Sequence, residues 1–525
     1  MESETSRAEL TEPYLTGMLA GIGLAVEYVR AEGNTLHHLG DDGSEIPVVD
    51  YCGGYASLFL GHNNPEIVAH AQRVLSAGTP VLTQFSPHST ANDVALKLNE
   101  ILRRETGATE PYFAHFASTG AEAVETAVKQ AEFDRVLKVS ALLAEIGEHV
   151  EQARALAAAG GVTVADGAWA TAGLERAGAA SFEDLAAAVV RHNTAVSARP
   201  PVLLALEGSF HGKLMGSVQF THNTGFRSAF AALGAQARFV PLDQPDVLAK
   251  TVDEARARVL DVVVEEGTVR LVERDFPVFC AFLVEPIQGE GGIRMLGEEF
   301  AAEVQRVCAE AGCPLIIDEI QTGVGRTGSF FASAQVGLRG DYYVLAKSLG
   351  GGIAKCSVAL VGQARYRQEF ELVHSSTFAK DGFSCAIALK VLELLEADDG
   401  AAYRTAAERG ARLREMLDRV RADHPDVVEE VRGKGLLQGL EFRDQSQAPS
   451  ELIGSLARQG VFGYAVAGFL LRRHRIRVLP TASAPNTLRF APSVQLTDAE
   501  IDQLEAGLRD LCTLLHDQDE QRLMG

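Results

Sequence analysis

The sequence is short of several things, and each shortage narrows what the chain can be. It has no C-x-x-C pair. Its seven cysteines, Cys52, Cys280, Cys308, Cys313, Cys356, Cys385 and Cys512, are scattered and odd in number. That argues for reduced thiols and against a zinc site. Positive charge is scarce: 48 Lys and Arg against 70 Asp and Glu leave a net charge of −22. Neither a nucleic-acid footprint nor an anionic membrane surface suits that balance. The opening residues, MESETSRAELTEPY, lack the basic start of a signal peptide, and the apolar run LTGMLAGIGLAV is too short to cross a bilayer. A soluble, cytoplasmic protein without a metal is expected.

What is present is an ordinary globular composition, 46% apolar and 22% charged over 525 residues, enough to bury a large core. No internal repeat is evident. From about residue 111, the runs PYFAHFA, PVLLAL, CAFLVEPI, PLIIDEI and DYYVLA alternate with helical patterns. Strands separated by helices predict an α/β fold with a mostly parallel sheet covered on both faces. In such sheets ligands gather at the carboxyl ends of the strands, so the polar residues closing each run are the candidates. Near the C-terminus, Thr497 and Glu500 form a capping-box signal. Ile501, Leu504, Leu508, Leu511 and Leu515 then follow at helical spacing. Residues from about 134 to 198, with Trp169 and the N-cap signal Ser181–Asp184, read as a helical insertion.

Taken in order, the strand ends carry a consistent chemistry. FASTGAEAVETAVK leads from strand to helix, where Thr119, Gly120 and Ala121 would present backbone N–H groups to a phosphate. In EGSFHGK, Phe210 and His211 offer a flat ring for a planar ligand to stack on. PLIIDEIQTGVGRTG runs straight into Asp318, a carboxylate that needs a cationic partner at a buried strand end. A pyridinium N–H at about 4 Å, with an effective dielectric near 20, would supply on the order of 4 kcal/mol. Lys347 closes the next strand, 29 residues beyond Asp318. A lysine in a poorly solvated, partly cationic pocket has a lowered pKa and becomes a Schiff-base nucleophile. Each motif alone has an ordinary structural explanation, as a turn, a core ring or an ion pair. Their ordered co-occurrence fits pyridoxal 5′-phosphate.

These motifs resemble those of the class III pyridoxal-phosphate aminotransferases, the group that includes ornithine, acetylornithine and 4-aminobutyrate transaminases. The resemblance runs from DYCGGYASLFLGHNNPEIV through VEPIQGEGG and LAKSLGGG to HSSTF, VRGKGLLQGLEF and NTLRFAPS. It implies fold type I: a large domain with a mostly parallel, seven-stranded sheet and a smaller α+β domain. Residues 1–80 would contribute to the small domain, 81–380 would form the cofactor domain with its insertion, and 381–525 would complete the small domain. It also implies roles. Lys347 would anchor the cofactor and shuttle the proton, Asp318 would pair with the pyridine nitrogen, and Gln321 would bond the phenolic oxygen. Phe210 and Ile320 would sandwich the ring, and Thr377 would reach the phosphate of a neighbouring subunit in a homodimer with shared sites. Arg489 would take the α-carboxylate of the amino donor, with Glu290 as its ion-pair partner, and Tyr55 would line the substrate pocket.

The match has departures. Lys213 stands after the His-Gly of SFHG, where ornithine- and aminobutyrate-type enzymes place an arginine against a substrate carboxylate; a lysine is a point charge there, not a fork. AKDGFSC replaces the usual glycine-asparagine-proline after STF, and Gly120 and His211 lie 91 residues apart, beyond the family's customary gap. The expected activity is a ping-pong aminotransferase. It would move an amino group from glutamate or a basic amino acid to an aldehyde or ketone, a biosynthetic intermediate of specialised metabolism. A 1,2-aminomutase, a decarboxylating aminotransferase and, more remotely, a non-catalytic homologue remain the alternatives.

Overall fold

The computed structural model describes residues 10–175 and 181–524; residues 1–9, 176–180 and 525, parts of the expected N-terminal segment, insertion and C-terminal domain, lie outside it. The apolar runs form the central sheet because each is short, rich in β-favouring residues and covered on both sides. Its strands are β1 (Tyr112–Ala117), β2 (Val202–Leu206), β3 (Arg238–Val240), β4 (Phe279–Val284), β5 (Leu315–Asp318), β6 (Tyr342–Leu345) and β7 (Ser357–Gly362). Every residue of β2, β4, β5 and β6 is buried. The spatial order is β1-β7-β6-β5-β4-β2-β3. Only β7 runs antiparallel to its neighbours; the other pairings are parallel. Val284, Ile317 and Tyr343 lie level across β4, β5 and β6. Glu285, Asp318 and Lys347 therefore leave the sheet along one edge.

A second, antiparallel sheet combines Val428–Lys434, Leu437–Phe442, Thr487–Phe490 and Leu479–Pro480, and places Arg489 opposite Gly439. The N-terminal strands Tyr28–Glu32, Thr35–Leu39 and Glu45–Asp50 join Ile476–Arg477 from the far end of the sequence. Arg477 locks that junction with a 3.0 Å hydrogen bond to Asp50. The helix Asp498–Asp517 has its capping box, and the five apolar positions read from the sequence are all buried in it.

The region after Gly120 departs from a simple insertion. One helix runs unbroken over Gly120–Ala158, and Phe182–Ser197 follows with Ser181 and Asp184 capping it reciprocally. The long hairpin Ala257–Glu265/Thr268–Phe276 joins them, although no strand is expected there from the sequence reading. Its Glu266–Gly267 turn has both φ angles positive, 49° and 75°, as a two-residue hairpin with right-handed strand twist requires. Thr163–Val164 pairs parallel to Thr268–Val269. Asn193 exchanges two 2.8 Å hydrogen bonds with the backbone of Leu260, and the Trp169 helix packs on the second strand. No helix among the described residues is long and apolar enough to cross a membrane.

Candidate active site

A cavity of about 490 Å³ opens at the carboxyl edge of β4–β6, within the range of small-molecule sites. Thr119, Gly120, Ala121, Phe210, His211, Glu290, Asp318, Ile320, Gln321 and Lys347 all border it. Four strand ends and one helix start thus bring together residues spread over more than two hundred positions.

At one end stands the first turn of the Gly120–Ala158 helix. Thr119 is its N-cap, and the Glu122 carboxylate accepts from the backbone N–H of Ser118 at 2.8 Å and of Thr119 at 2.9 Å. The Thr119 amide is therefore already used, contrary to the sequence expectation. Gly120 and Ala121, the first two helical residues, have no intrahelical acceptor, and their N–H groups suit an anion. Glycine is required opposite: a side chain on Gly212, at φ +112°, would meet the Ala121 methyl at 2.7 Å.

At the other end Asp318 closes β5. Its Oδ1 accepts from Ile320 N at 3.0 Å and its Oδ2 lies 2.8 Å from His211 Nδ1. Each carboxylate oxygen keeps a second lone pair for a ring N–H. Burial pushes the His211 imidazolium down, but the Asp318 hydrogen bond and charge outweigh it, and its pKa is raised. Burial lifts the neighbouring Glu285 carboxyl to about 7, while it accepts from Phe210 N at 2.9 Å and Gly289 N at 3.1 Å. Gly289 must lack a side chain, since a Cβ would sit 1.9 Å from the Gln321 amide.

Lys347 follows β6 in the left-handed region, at φ 50°, a conformation that costs a non-glycine residue roughly 1–2 kcal/mol. Burial, then the nearby Arg489 guanidinium, pulls its pKa down to about 8. With its amide oxygen turned inward, Gln321 accepts from Lys347 Nζ at 3.1 Å and from Arg489 at 3.3 Å. A helix-start anion cradle, a carboxylate placed for a pyridinium and a softened lysine between them fit a planar, phosphorylated aldehyde cofactor.

The substrate side is ordered around Arg489, which is fully buried and ion-paired with Glu290. The other Glu290 oxygen accepts from Ala482 N at 2.8 Å. The Arg489 charge outweighs burial and keeps Glu290 below its usual carboxylate range. Nη2 of Arg489 has no partner among the described residues and is free for a ligand. Tyr55 lies outside the cavity lining, half exposed, with the Arg489 guanidinium 5.2 Å from its ring centroid. Lys213 also stands off the lining, its Nζ 3.8 Å from the centre of the Phe226 ring. Thr377 is exposed and does not border this chain's cavity; its carbonyl accepts from Gln84 at 3.1 Å. None of the described residues between 134 and 198 borders the cavity.

Glu285, Glu122 and Phe226 are the residues sequence reading passes over. Glu285 directly follows β4 as Lys347 follows β6 after one alanine, so the rule of inspecting strand ends reaches it.

The family model described as aminotransferase class-III matches residues 21–511. Putrescine aminotransferase of Pectobacterium atrosepticum is 26% identical over 498 residues, 94% of this chain and 83% of that protein. The crystal structure of ornithine aminotransferase from Toxoplasma gondii ME49 superposes with a TM-score of 0.65 at 20% identity, covering 94% of this chain and 92% of that one. A transaminase from the marine bacterium Virgibacillus gives 0.68 at 18% identity, over 94% of each chain. With its type I fold and its lysine-bearing cavity, the chain belongs to the class III, pyridoxal-phosphate-dependent aminotransferases.

Proposed function

We propose that the protein transfers an amino group, in two half-reactions, from an α-amino acid (glutamate or a basic amino acid) to an aldehyde or ketone lacking a distal carboxylate. The observation that carries the acceptor class is Lys213, whose ammonium rests on the Phe226 ring 3.8 Å from its centroid. Drawn toward that ring by its cation–π contact, it is a point charge without the fork that a distal carboxylate would meet. A relative named for putrescine, which has no carboxylate, supports the same reading.

When bound, pyridoxal phosphate supplies the aldehyde that carries the amino group and the ring that takes up electrons. The chain's residues do the rest. Gly120 and Ala121 would hold the phosphate, Phe210 and Ile320 would flank the ring, and Asp318, steadied by His211, would accept from the ring nitrogen's N–H. Gln321 would donate to or accept from the ring's phenolic oxygen. Arg489 forks onto the donor's α-carboxylate, and Glu290 releases or reclaims it according to whether that carboxylate is present. Lys347 Nζ, buried and with a lowered pKa, would serve as the base that takes the proton from the substrate carbon bearing nitrogen and as the acid that gives it back. A second copy of this chain would cover the exposed Val81, Leu82, Phe85 and Phe378 and bring its Thr377 to the phosphate.

A screen of amino donors and acceptors with purified holoenzyme tests the reading. Glutamate should aminate simple aldehydes; turnover confined to 2-oxo acids would sink it.

A further inference from the structure

The phosphate end of the cavity is short of positive charge. A phosphate monoester carries about −1.5 to −2 at neutral pH, while a helix N-terminus offers only about +0.5. Glu122 adds a carboxylate directly beside the cradle, where it occupies the adjoining Ser118 and Thr119 amides. Lys347 is engaged elsewhere, beside Gln321 and Arg489. Among the described residues that border the cavity, Lys355 is the one other lysine or arginine.

Its position is fixed by the sheet. Ser357 pairs with Ala117 in the antiparallel β7–β1 ladder, and Ser357 Oγ donates to Thr119 O at 2.8 Å. Continuing that register two residues back brings Lys355 level with Thr119, the N-cap of the cradle helix. Lys355 also borders the adjoining cavity that contains Ser118, Thr119 and Glu122. Its side chain is exposed and has no hydrogen-bond or ion-pair partner among the described residues.

We propose that Lys355 is a phosphate-binding residue of this enzyme, its ammonium closing onto the cofactor's phosphate opposite the Gly120 and Ala121 amides. The charge that the helix start lacks, and that Glu122 opposes, then comes from β7.

The test compares apoenzyme binding of pyridoxal phosphate with that of pyridoxal, which lacks the phosphate, by absorbance titration of wild type, Lys355→Ala and Lys355→Arg. The alanine variant should bind pyridoxal phosphate roughly ten-fold more weakly, the scale of one charge-assisted hydrogen bond. Pyridoxal should bind it as it binds wild type, and arginine should restore most of the loss. The ³¹P resonance of the bound cofactor should shift in the alanine variant alone. Unchanged affinity for pyridoxal phosphate, equal weakening of both ligands, or an arginine variant as weak as the alanine one would each overturn the assignment.

Discussion

His211 Nδ1 lies 2.8 Å from Asp318 Oδ2, with both side chains buried beneath the cavity. The histidine holds the carboxylate in place and adds positive charge behind it, at the strand end that would face a ring nitrogen. Asp318→Asn keeps the shape and removes the charge. At about 4 Å and an effective dielectric near 20 that charge is worth on the order of 4 kcal/mol, so kcat should fall about 10²–10³-fold. Steady-state rates on cofactor-saturated enzyme check this; a variant within two-fold of wild type would contradict the assigned role.

Lys347 should control attachment of the cofactor through its own titration. Below its pKa of about 8 the amine is protonated and cannot attack an aldehyde. The rate of covalent attachment to apoenzyme should therefore rise up to ten-fold per pH unit below about 8, then level off. Stopped-flow absorbance gives the profile, and a break near the ordinary lysine value would show an unperturbed amine. Lys347→Ala should lose the proton-transfer contribution, about 10²–10⁴ in kcat or more.

Glu290→Gln should alter substrate preference more than overall rate. Without the carboxylate, Arg489 keeps its full charge for a donor's α-carboxylate but has no partner when the substrate lacks one. The ratio of kcat/KM for amines over α-amino acids should fall about ten-fold or more. Equal loss on both substrate types would remove the switching role.

Glu285 should leave a mark on stability. Its folded pKa of about 7 lies above the ordinary 4.5. The folded state thus binds this proton more tightly than the unfolded state does. The resulting stabilisation is full below about pH 4.5 and is lost as pH rises through about 7, to a total of about 3 kcal/mol. Urea denaturation of apoenzyme at pH 5 and pH 8 should show this loss in wild type and a flatter dependence in Glu285→Gln. Parallel curves would assign the carboxyl an ordinary titration.

Trp169→Ala should separate stability from catalysis. The ring is only 6% exposed, so its removal should cost about 3–5 kcal/mol. No described residue between 134 and 198 borders the cavity, so kcat should stay within two-fold in the protein that remains folded.

Much of this was legible in the sequence because strand ends in a parallel sheet converge. Asp318 and Lys347 are 29 residues apart in the chain, yet β5 and β6 are neighbours, and one alternation of apolar run and polar terminus located both. Glu285 obeys the same pattern, closing the run CAFLV as Asp318 closes PLII. Strand β7 was missed because CSVALVG follows a glycine string that reads as loop. The hairpin at 257–276 is hard to read from the sequence because charged residues interrupt its β-branched run and its first strand buries Val259 to Val262 in succession, Asp261 included, without a clean alternation. Glu122 lies in the first turn of the helix, and its occupation of the Thr119 amide depends on a rotamer that spacing does not encode. Phe226 lies in an irregular segment without a period, and its contact with Lys213 is purely tertiary.

The three-stranded sheet of Thr163–Val164, Thr268–Phe276 and Ala257–Glu265 draws on two stretches of chain separated by strands β2 and β3. Its segments share one apolar interior, so neither can be trimmed alone without stranding the other's greasy side in water. Anyone shortening this enzyme has to excise both stretches together, joining the Gly120 helix to β2 and the helix before Ala257 to β4.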